Sequence, residues 1–486
     1  MPAPPMPPHA SIPRKFLLGG EWIDTLQRMS IVSPWTGKVL YEICEAGEEH
    51  ARLAGEAARK VMPEMRRLTG AQRSESLRTI ASKIAFRADE MAALIRDEVG
   101  KPMGLCRIEV QRAIKTFLLG AEEALRLPGD ILYPDQEPQG AGMVGRIQYF
   151  PSGPILGISP FNFPLNLVAH KVAPALAAGC PIVIKPPPQG PGAALVLGEI
   201  ALESGLPRAA LQILPGGLPV AQALCANDAF AVISFTGSAR VGWAIKKNAL
   251  SRQKVLLELG GNAAVIVDDS ADIDLAARAV SASGYVYAGQ TCISTQRIYV
   301  HHQVADLFER KLAEKILTEI VVSDDPGNEK AFVGPLIDKN AADRIDQWIQ
   351  SAVAHGAKVL IKGERRSERL ITPWLLKDVP STEPLACEEV FGPVIVMREV
   401  RDLSEAITQT NASRYGLQTS IFTQSLRNAE LAYKEIDSGA ILVNIPTAFR
   451  LDAALYGGIK DSGFGREGVK EVVRAFCEPK MLVVKP

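Results

Sequence analysis

The chain has 486 residues, room for roughly three folding units of ~150 residues each, and is 47% hydrophobic and 22% charged, which excludes disorder over most of its length. Lys plus Arg number 54 and Asp plus Glu 54, so the net charge is zero. No global basic field exists to hold nucleic acid or an anionic membrane, and an anionic ligand needs a local pocket.

In chain order, the opening MPAPPMPPHA reads as a loose Pro-rich tail, assigned to residues 1–15, without the charged start and apolar centre of a secretory leader. From Ala51 to about Leu127 the pattern is helical, broken at Pro63 and at the Gly100–Pro102 turn. Leu127 to Gln148 and Met481 to Val484 read as strands outside the main rhythm. After Arg146, apolar runs at Ile155–Ser159, Ile182–Lys185, Leu211–Leu214, Ala231–Phe235, Val255–Glu258 and Ala263–Val267 alternate with helix candidates such as Pro191–Ser204 and Pro219–Ala226. That alternation predicts a mainly parallel sheet covered on both faces. A second α/β region follows to about Leu442, with an amphipathic helix carrying Ile345, Trp348, Ile349, Ala352 and Val353 on one stripe. The apolar runs are strand-length, too short to cross a bilayer. Seven scattered cysteines without CxxC point to reduced thiols and a cytoplasmic location, and six histidines without ligand spacing point to no metal.

Three constellations carry chemistry. Cys292, in Gly289-Gln290-Thr291-Cys292 after the helix-like Ala271–Ala288, is either a thiolate nucleophile or an inert buried cysteine. Glu258, in Leu257-Glu258-Leu259-Gly260-Gly261, ends a strand where burial would make it a general base; the alternative is an ion-paired strand end. Asn162, centred in Pro160-Phe161-Asn162-Phe163-Pro164, offers an amide to an oxyanion or forms its own turn. Two further turns suit a phosphate: Lys185-Pro186 at a strand end, and Thr236-Gly237-Ser238-Ala239-Arg240-Val241-Gly242, a strand running into a helix N-terminus.

Each signal alone is weak. Their order (PFNFP, KP, FTGSxxxG, LELGG, GQxC, then Glu388-Glu389-Val390-Phe391-Gly392-Pro393) resembles the aldehyde dehydrogenase superfamily. The resemblance extends from Phe16–Trp22 to Tyr456–Gly463 and so covers nearly the whole chain. It implies an α/β fold of three parts: a Rossmann-like cofactor domain (16–126 and 149–257), an α/β catalytic domain (258–442) and a small β bridging and oligomerisation domain (127–148 and 460–486). It also implies NAD(P)-dependent oxidation of a small-molecule aldehyde, with Cys292 forming a thiohemiacetal and then a thioester, Asn162 holding the oxyanion and Glu258 activating the hydrolytic water.

The resemblance further assigns cofactor contacts to Ile158, Ser159, Pro160, Phe161, Lys185, Pro188, Gly216, Phe235, Gly237, Ser238, Val241, Leu259, Gly260, Glu389 and Phe391. Pro188 departs from the pattern, standing where many NAD-preferring members carry a ribose-binding acid, so NADP is expected to be accepted besides NAD. Glu258 sets the chain apart from coenzyme-A-acylating members, which usually lack an acid there. The expected substrate pocket comprises Phe163, Leu167, His170, Thr291, Ile293, Arg450 and Tyr456.

Phe449-Arg450-Leu451-Asp452 resembles a branch that includes lactaldehyde and non-phosphorylating glyceraldehyde-3-phosphate dehydrogenases. Arg450 either grips a polar or anionic aldehyde or is tied up by Asp452 or another acid. A succinate-semialdehyde-type activity is the alternative, and an inactive structural protein on the same fold a remote one. A homodimer or homotetramer is expected, with no nucleic acid or membrane partner.

Overall fold

A computed structural model describes residues 14–127 and 129–486; the Pro-rich tail lies outside the described residues except for its last two positions. Two large sheets dominate. The first has eight strands and a parallel centre: Ile155–Ile158 pairs in parallel with both Ile182–Lys185 and Val232–Thr236, which continue outward to Leu211–Ile213 and Lys254–Glu258 respectively. Ile182–Lys185 and Leu211–Ile213 lie to one side of Ile155–Ile158, and the later Val232–Thr236 and Lys254–Glu258 to the other. The order therefore reverses between Ile155–Ile158 and Val232–Thr236, where open α/β sheets form a crevice beyond the strands' carboxyl ends. Strands Phe16–Leu18 and Glu21–Ile23 extend one edge antiparallel.

Each predicted apolar run forms a strand, and Ile155–Ile158, Ile182–Lys185 and Ala264–Val267 are buried on both faces, as parallel strands covered by helices are. The helices Gly192–Leu202 and Leu218–Ala226 lie within two residues of their predicted limits. The second sheet has seven strands, with Val394–Val400, Arg297–His301 and Ala264–Val267 at its centre. The amphipathic helix is Lys339–Ala354, capped by the Asp338 carboxylate accepting from the Ala341 N–H at 2.7 Å.

The helical block forms as Glu48–Arg67, Gly70–Phe86, Ala88–Val99 and Met103–Glu123. Pro63 does not break the first of these, because it sits on the exposed face near the helix end. Gly100, at φ +70°, does stop the third.

The expected bridging segments are divided. Strands Gly129–Leu132, Val144–Pro151 and Cys477–Val484 form a separate three-stranded sheet, and Pro151 pairs with Cys477 across the expected boundary at 148. Residues 460–476 mostly join the first unit instead. Gly463–Phe464 adds to its sheet beside Leu257 and Glu258, and helix Val469–Ala475 packs on Asn166–Ala178 and Met103–Glu123. The boundary at 258 also cuts a strand, since Glu258 is the last residue of Lys254–Glu258.

Candidate active site

Cys292 follows the helix Ile273–Tyr285 through a tight turn rather than directly. Tyr287 and Ala288 both have φ +53°, a left-handed conformation that non-glycine residues rarely adopt and that clusters at functional sites. This places Cys292 on the wall of a cavity of about 750 Å³, within the range of small-molecule sites. Asn162, from the loop after Ile155–Ile158, and Glu258 line the same cavity, although Glu258 and Cys292 are 34 residues apart in sequence.

The Asn162 side-chain amide donates to the Gln290 carbonyl at 3.0 Å, which ties it to the Cys292 loop; a primary amide retains a second N–H. Its loop is held from beneath by a fully buried pair. Lys101 Nζ lies 2.5 Å from Glu109 and donates to the Asn162 carbonyl at 2.8 Å, while the other Glu109 oxygen accepts the N–H groups of Leu165 and Asn166. The ammonium also sits 3.6 Å from the Phe163 ring centre and 5.0 Å from that of Tyr287, touching both the Asn162 loop and the strained turn before Cys292.

Burial pushes the Glu258 carboxyl well above the usual range, and the neighbouring Glu467 charge adds to this. Its Oε2 has no hydrogen-bond partner among the described residues. Gly457, at φ +138°, leaves room for it, because a Cβ there would stand 2.7 Å from Glu258 Oε1. Glu467 behaves oppositely. Burial opposes its ionisation, but Arg450, with Nη2 2.6 Å away, and Lys171, at 3.6 Å, outweigh that and hold it down to about 2. Two buried carboxyls with divergent acidities, one a potential base and one a fixed anion, suit a proton-handling site. Burial pushes the Cys292 thiol up to about 11.

Arg450 does line the cavity, and the acid that engages it is Glu467, not Asp452. Asp452 instead takes a two-point contact from Arg112, at 3.1 and 2.7 Å, and a contact from His170 Nε2 at 2.9 Å. His170 is thereby a correction to the expected pocket: it is buried against Asp452 and forms no part of the cavity wall, because the acid draws its ring inward. Phe163, Leu167, Thr291, Ile293 and Tyr456 line the cavity as expected. Arg112, Lys101, Phe449 and Glu467 line it too and were not anticipated. Arg112 sits in the uniformly helical stretch and carries no local signal; the Gly100-Lys101-Pro102 turn was the only available hint for Lys101.

Of the expected cofactor contacts, Pro160, Phe161, Gly237, Ser238, Leu259, Gly260, Glu389 and Phe391 border this cavity. Ile158, Ser159, Lys185, Pro188, Gly216 and Phe235 are not in its wall but lie in or just after the carboxyl ends of the parallel strands of the first sheet, and Val241 is on the first turn of helix Ala239–Asn248. A dinucleotide fits what these residues offer. The helix starts at Ser238 without a side-chain cap, leaving N–H groups for an anion. Among the described residues the buried Lys185 has no ion pair, and burial lowers its ammonium to about 8. Glu389 accepts the Gly261 N–H at 3.2 Å and is raised by burial to about 7, and Phe391 meets Phe161 edge-on at 5.8 Å.

A crevice of this kind, opening onto a cavity with a cysteine in its wall, defines a class of protein: dinucleotide-dependent oxidoreductases. Within that class, the chain belongs to the aldehyde dehydrogenase family, whose model matches residues 22–482, and it is an NAD(P)-dependent aldehyde dehydrogenase. It is 37% identical over 468 residues to 3-sulfolactaldehyde dehydrogenase of Priestia megaterium, covering 96% of this chain and 97% of that one.

Two solved structures superpose with a TM-score of 0.93 while covering 97% of this chain and 98% of their own. Aldehyde dehydrogenase 21 of Physcomitrella patens, in complex with the reaction product succinate, is 36% identical. The NADP-dependent glyceraldehyde-3-phosphate dehydrogenase of Bacillus halodurans, complexed with NADP, is 32% identical. The expected three-part α/β fold is that of this family. Among the described residues no helix is long and apolar enough to cross a membrane.

Proposed function

We propose that this chain oxidises a short polar or anionic aldehyde, hydroxylated like lactaldehyde or carboxylated, to its carboxylate. The observation that carries this is the pair of arginines, Arg112 and Arg450, in the wall that also holds Cys292, Asn162 and Glu258. Both are neutralised by buried acids, so they offer directed N–H donors rather than a bare charge.

Cys292 Sγ attacks the aldehyde carbon, and negative charge appears on its oxygen. The free N–H of the Asn162 amide and the Cys292 backbone N–H take that charge. When bound, the dinucleotide supplies the hydride acceptor for the oxidation. Lys185 would hold its adenosine ribose, Ser238 and the helix start its pyrophosphate, and Glu389 and Phe391 its nicotinamide end. Glu258 then removes a proton from the water that attacks the Cys292 thioester, a role suited to a buried carboxyl of raised pKa. A base at this position favours hydrolysis over transfer to coenzyme A; coenzyme A raising turnover and appearing in the product would overturn that.

A panel of lactaldehyde, succinate semialdehyde and a simple aliphatic aldehyde tests the substrate class. The polar substrates should exceed the aliphatic one in kcat/KM by ~10-fold or more, the worth of one charge-assisted hydrogen bond. A preference for the aliphatic aldehyde would sink the proposal. The succinate-semialdehyde reading has its own support in the succinate complex of the Physcomitrella relative.

NADP acceptance is supported by Pro188, which brings no negative charge towards a 2′-phosphate, and by Lys185, which has no ion pair among the described residues. A kcat/KM for NAD far above that for NADP would reverse it.

A second copy of the chain would cover the three-stranded sheet, which exposes Ile131, Val144, Phe150, Met481, Leu482 and Val484.

A further inference from the structure

We propose that Tyr456 is a catalytic residue whose phenol donates a hydrogen bond to the Cys292 sulfur and stabilises it as a thiolate. The inference rests on Cys292 being the nucleophile. Tyr456 Oη lies 3.2 Å from Cys292 Sγ, and the ring is buried. While the thiol is protonated, either atom can donate. Once the sulfur carries a negative charge it can only accept, and the phenol must supply the proton of the bond. Burial, reinforced by the neighbouring sulfur, keeps that phenol protonated far above neutral pH.

The oxygen is held in place from three sides. Tyr456 and Glu467 exchange backbone hydrogen bonds of 2.9 and 2.6 Å, so the ring is fixed to an antiparallel bridge. The Arg450 guanidinium lies 3.8 Å from the ring centre and is itself anchored by Glu467 at 2.6 Å. Ile293 and Leu417 pack around the ring. A phenylalanine would fill this space equally well, so packing does not account for the hydroxyl.

The remaining charged groups that face the sulfur work in different directions. Glu389, from the loop after helix Pro384–Cys387, and Glu258, from the end of its strand, disfavour the thiolate, and Arg450 favours it. Burial disfavours it most. Tyr456 supplies the one side-chain hydrogen bond to Sγ among the described residues. The same bond serves twice in a turnover, at attack on the aldehyde and again when the thioester breaks and the sulfur leaves as a thiolate.

The test is the pH dependence of Cys292 alkylation by iodoacetamide, in which Sγ displaces iodide, followed by mass spectrometry of the modified peptide. Wild type and Tyr456→Phe are compared; Glu258, Glu389 and Arg450 are common to both, so a difference belongs to the phenol. The variant's midpoint should move up by about one unit and its rate near neutrality fall ~10-fold, with the rates converging above both midpoints. Thiolate ultraviolet absorbance, taken against Cys292→Ala, should give the same shift independently of reagent access. An unchanged midpoint, or an equal loss of rate at every pH, would overturn the proposal. Failure of the parent reading looks different: alkylation at Cys292 would leave turnover intact, whatever the midpoint.

Discussion

In the proposed mechanism Asn162 and Glu258 act at different stages, and their substitutions should separate accordingly. Asn162→Ala removes an oxyanion donor and should lower kcat by about 10²–10³-fold with little change in KM. Glu258→Gln should spare the first turnover and block the next, giving a stoichiometric burst of reduced cofactor and then a stall; steady-state formation at the wild-type rate would contradict the assignment. Because burial raises the Glu258 carboxyl, the base ionises only as pH rises, so deacylation should be weak in mild acid and increase through neutrality.

Linkage to stability runs in opposite directions for two acids of the site. Glu467, held near 2, contributes stability above the ordinary carboxylate range that is lost as pH falls from there towards 2. Glu389, raised to about 7, contributes stability below the ordinary range that is lost as pH rises towards 7. Thermal melts of Glu389→Gln against wild type should therefore diverge in favour of the variant above neutrality.

At the scale of elements, the Lys101–Glu109 pair joins the turn after helix Ala88–Val99 to the loop that presents Asn162. Both groups are fully buried, so removing one leaves an uncompensated charge. Lys101→Met should cost about 3–5 kcal/mol in stability, read by denaturant unfolding. A loss within the range of surface ion pairs, below about 1 kcal/mol, would show that the interior tolerates the orphaned carboxylate.

The same scale shows what the sequence could and could not reveal. The strands and their alternation with helices were legible because burial on both faces writes continuous apolar runs. Asn162, Glu258 and Cys292 gave only weak signals singly, near proline or glycine punctuation at element ends, and were picked out by the order of the six motifs they belong to. Arg112, Lys101 and Glu467 were not. They reach the cavity from a helix, a turn and a distant loop, and only tertiary packing brings them together. For Arg450 the competing acid was foreseen, but Glu467 could not be told from Asp452 by sequence distance. Pro63 misled because a helix tolerates proline on an exposed face near its end.

For the whole molecule, the apolar face of the three-stranded sheet predicts self-association. Light scattering should give a multiple of the 52.4 kDa chain mass, and charged substitutions at Val144 and Leu482 should reduce it. A monomer at micromolar concentration would refute this. Most of residues 460–476 packs with the first sheet and its helices, so these variants should retain the cavity and measurable turnover.

Both large sheets have all but one short strand in place by Val443, yet Arg450, Tyr456 and Glu467 all come afterwards. A nascent chain emerging from the ribosome can thus assemble the scaffold, with its thiol, while one wall of the reaction chamber is still untranslated. The thiol's scaffold thus precedes the wall that completes its chamber, and a chain clipped before Glu467 would lose that wall together with the buried helix Val469–Ala475, leaving it inert and less stable.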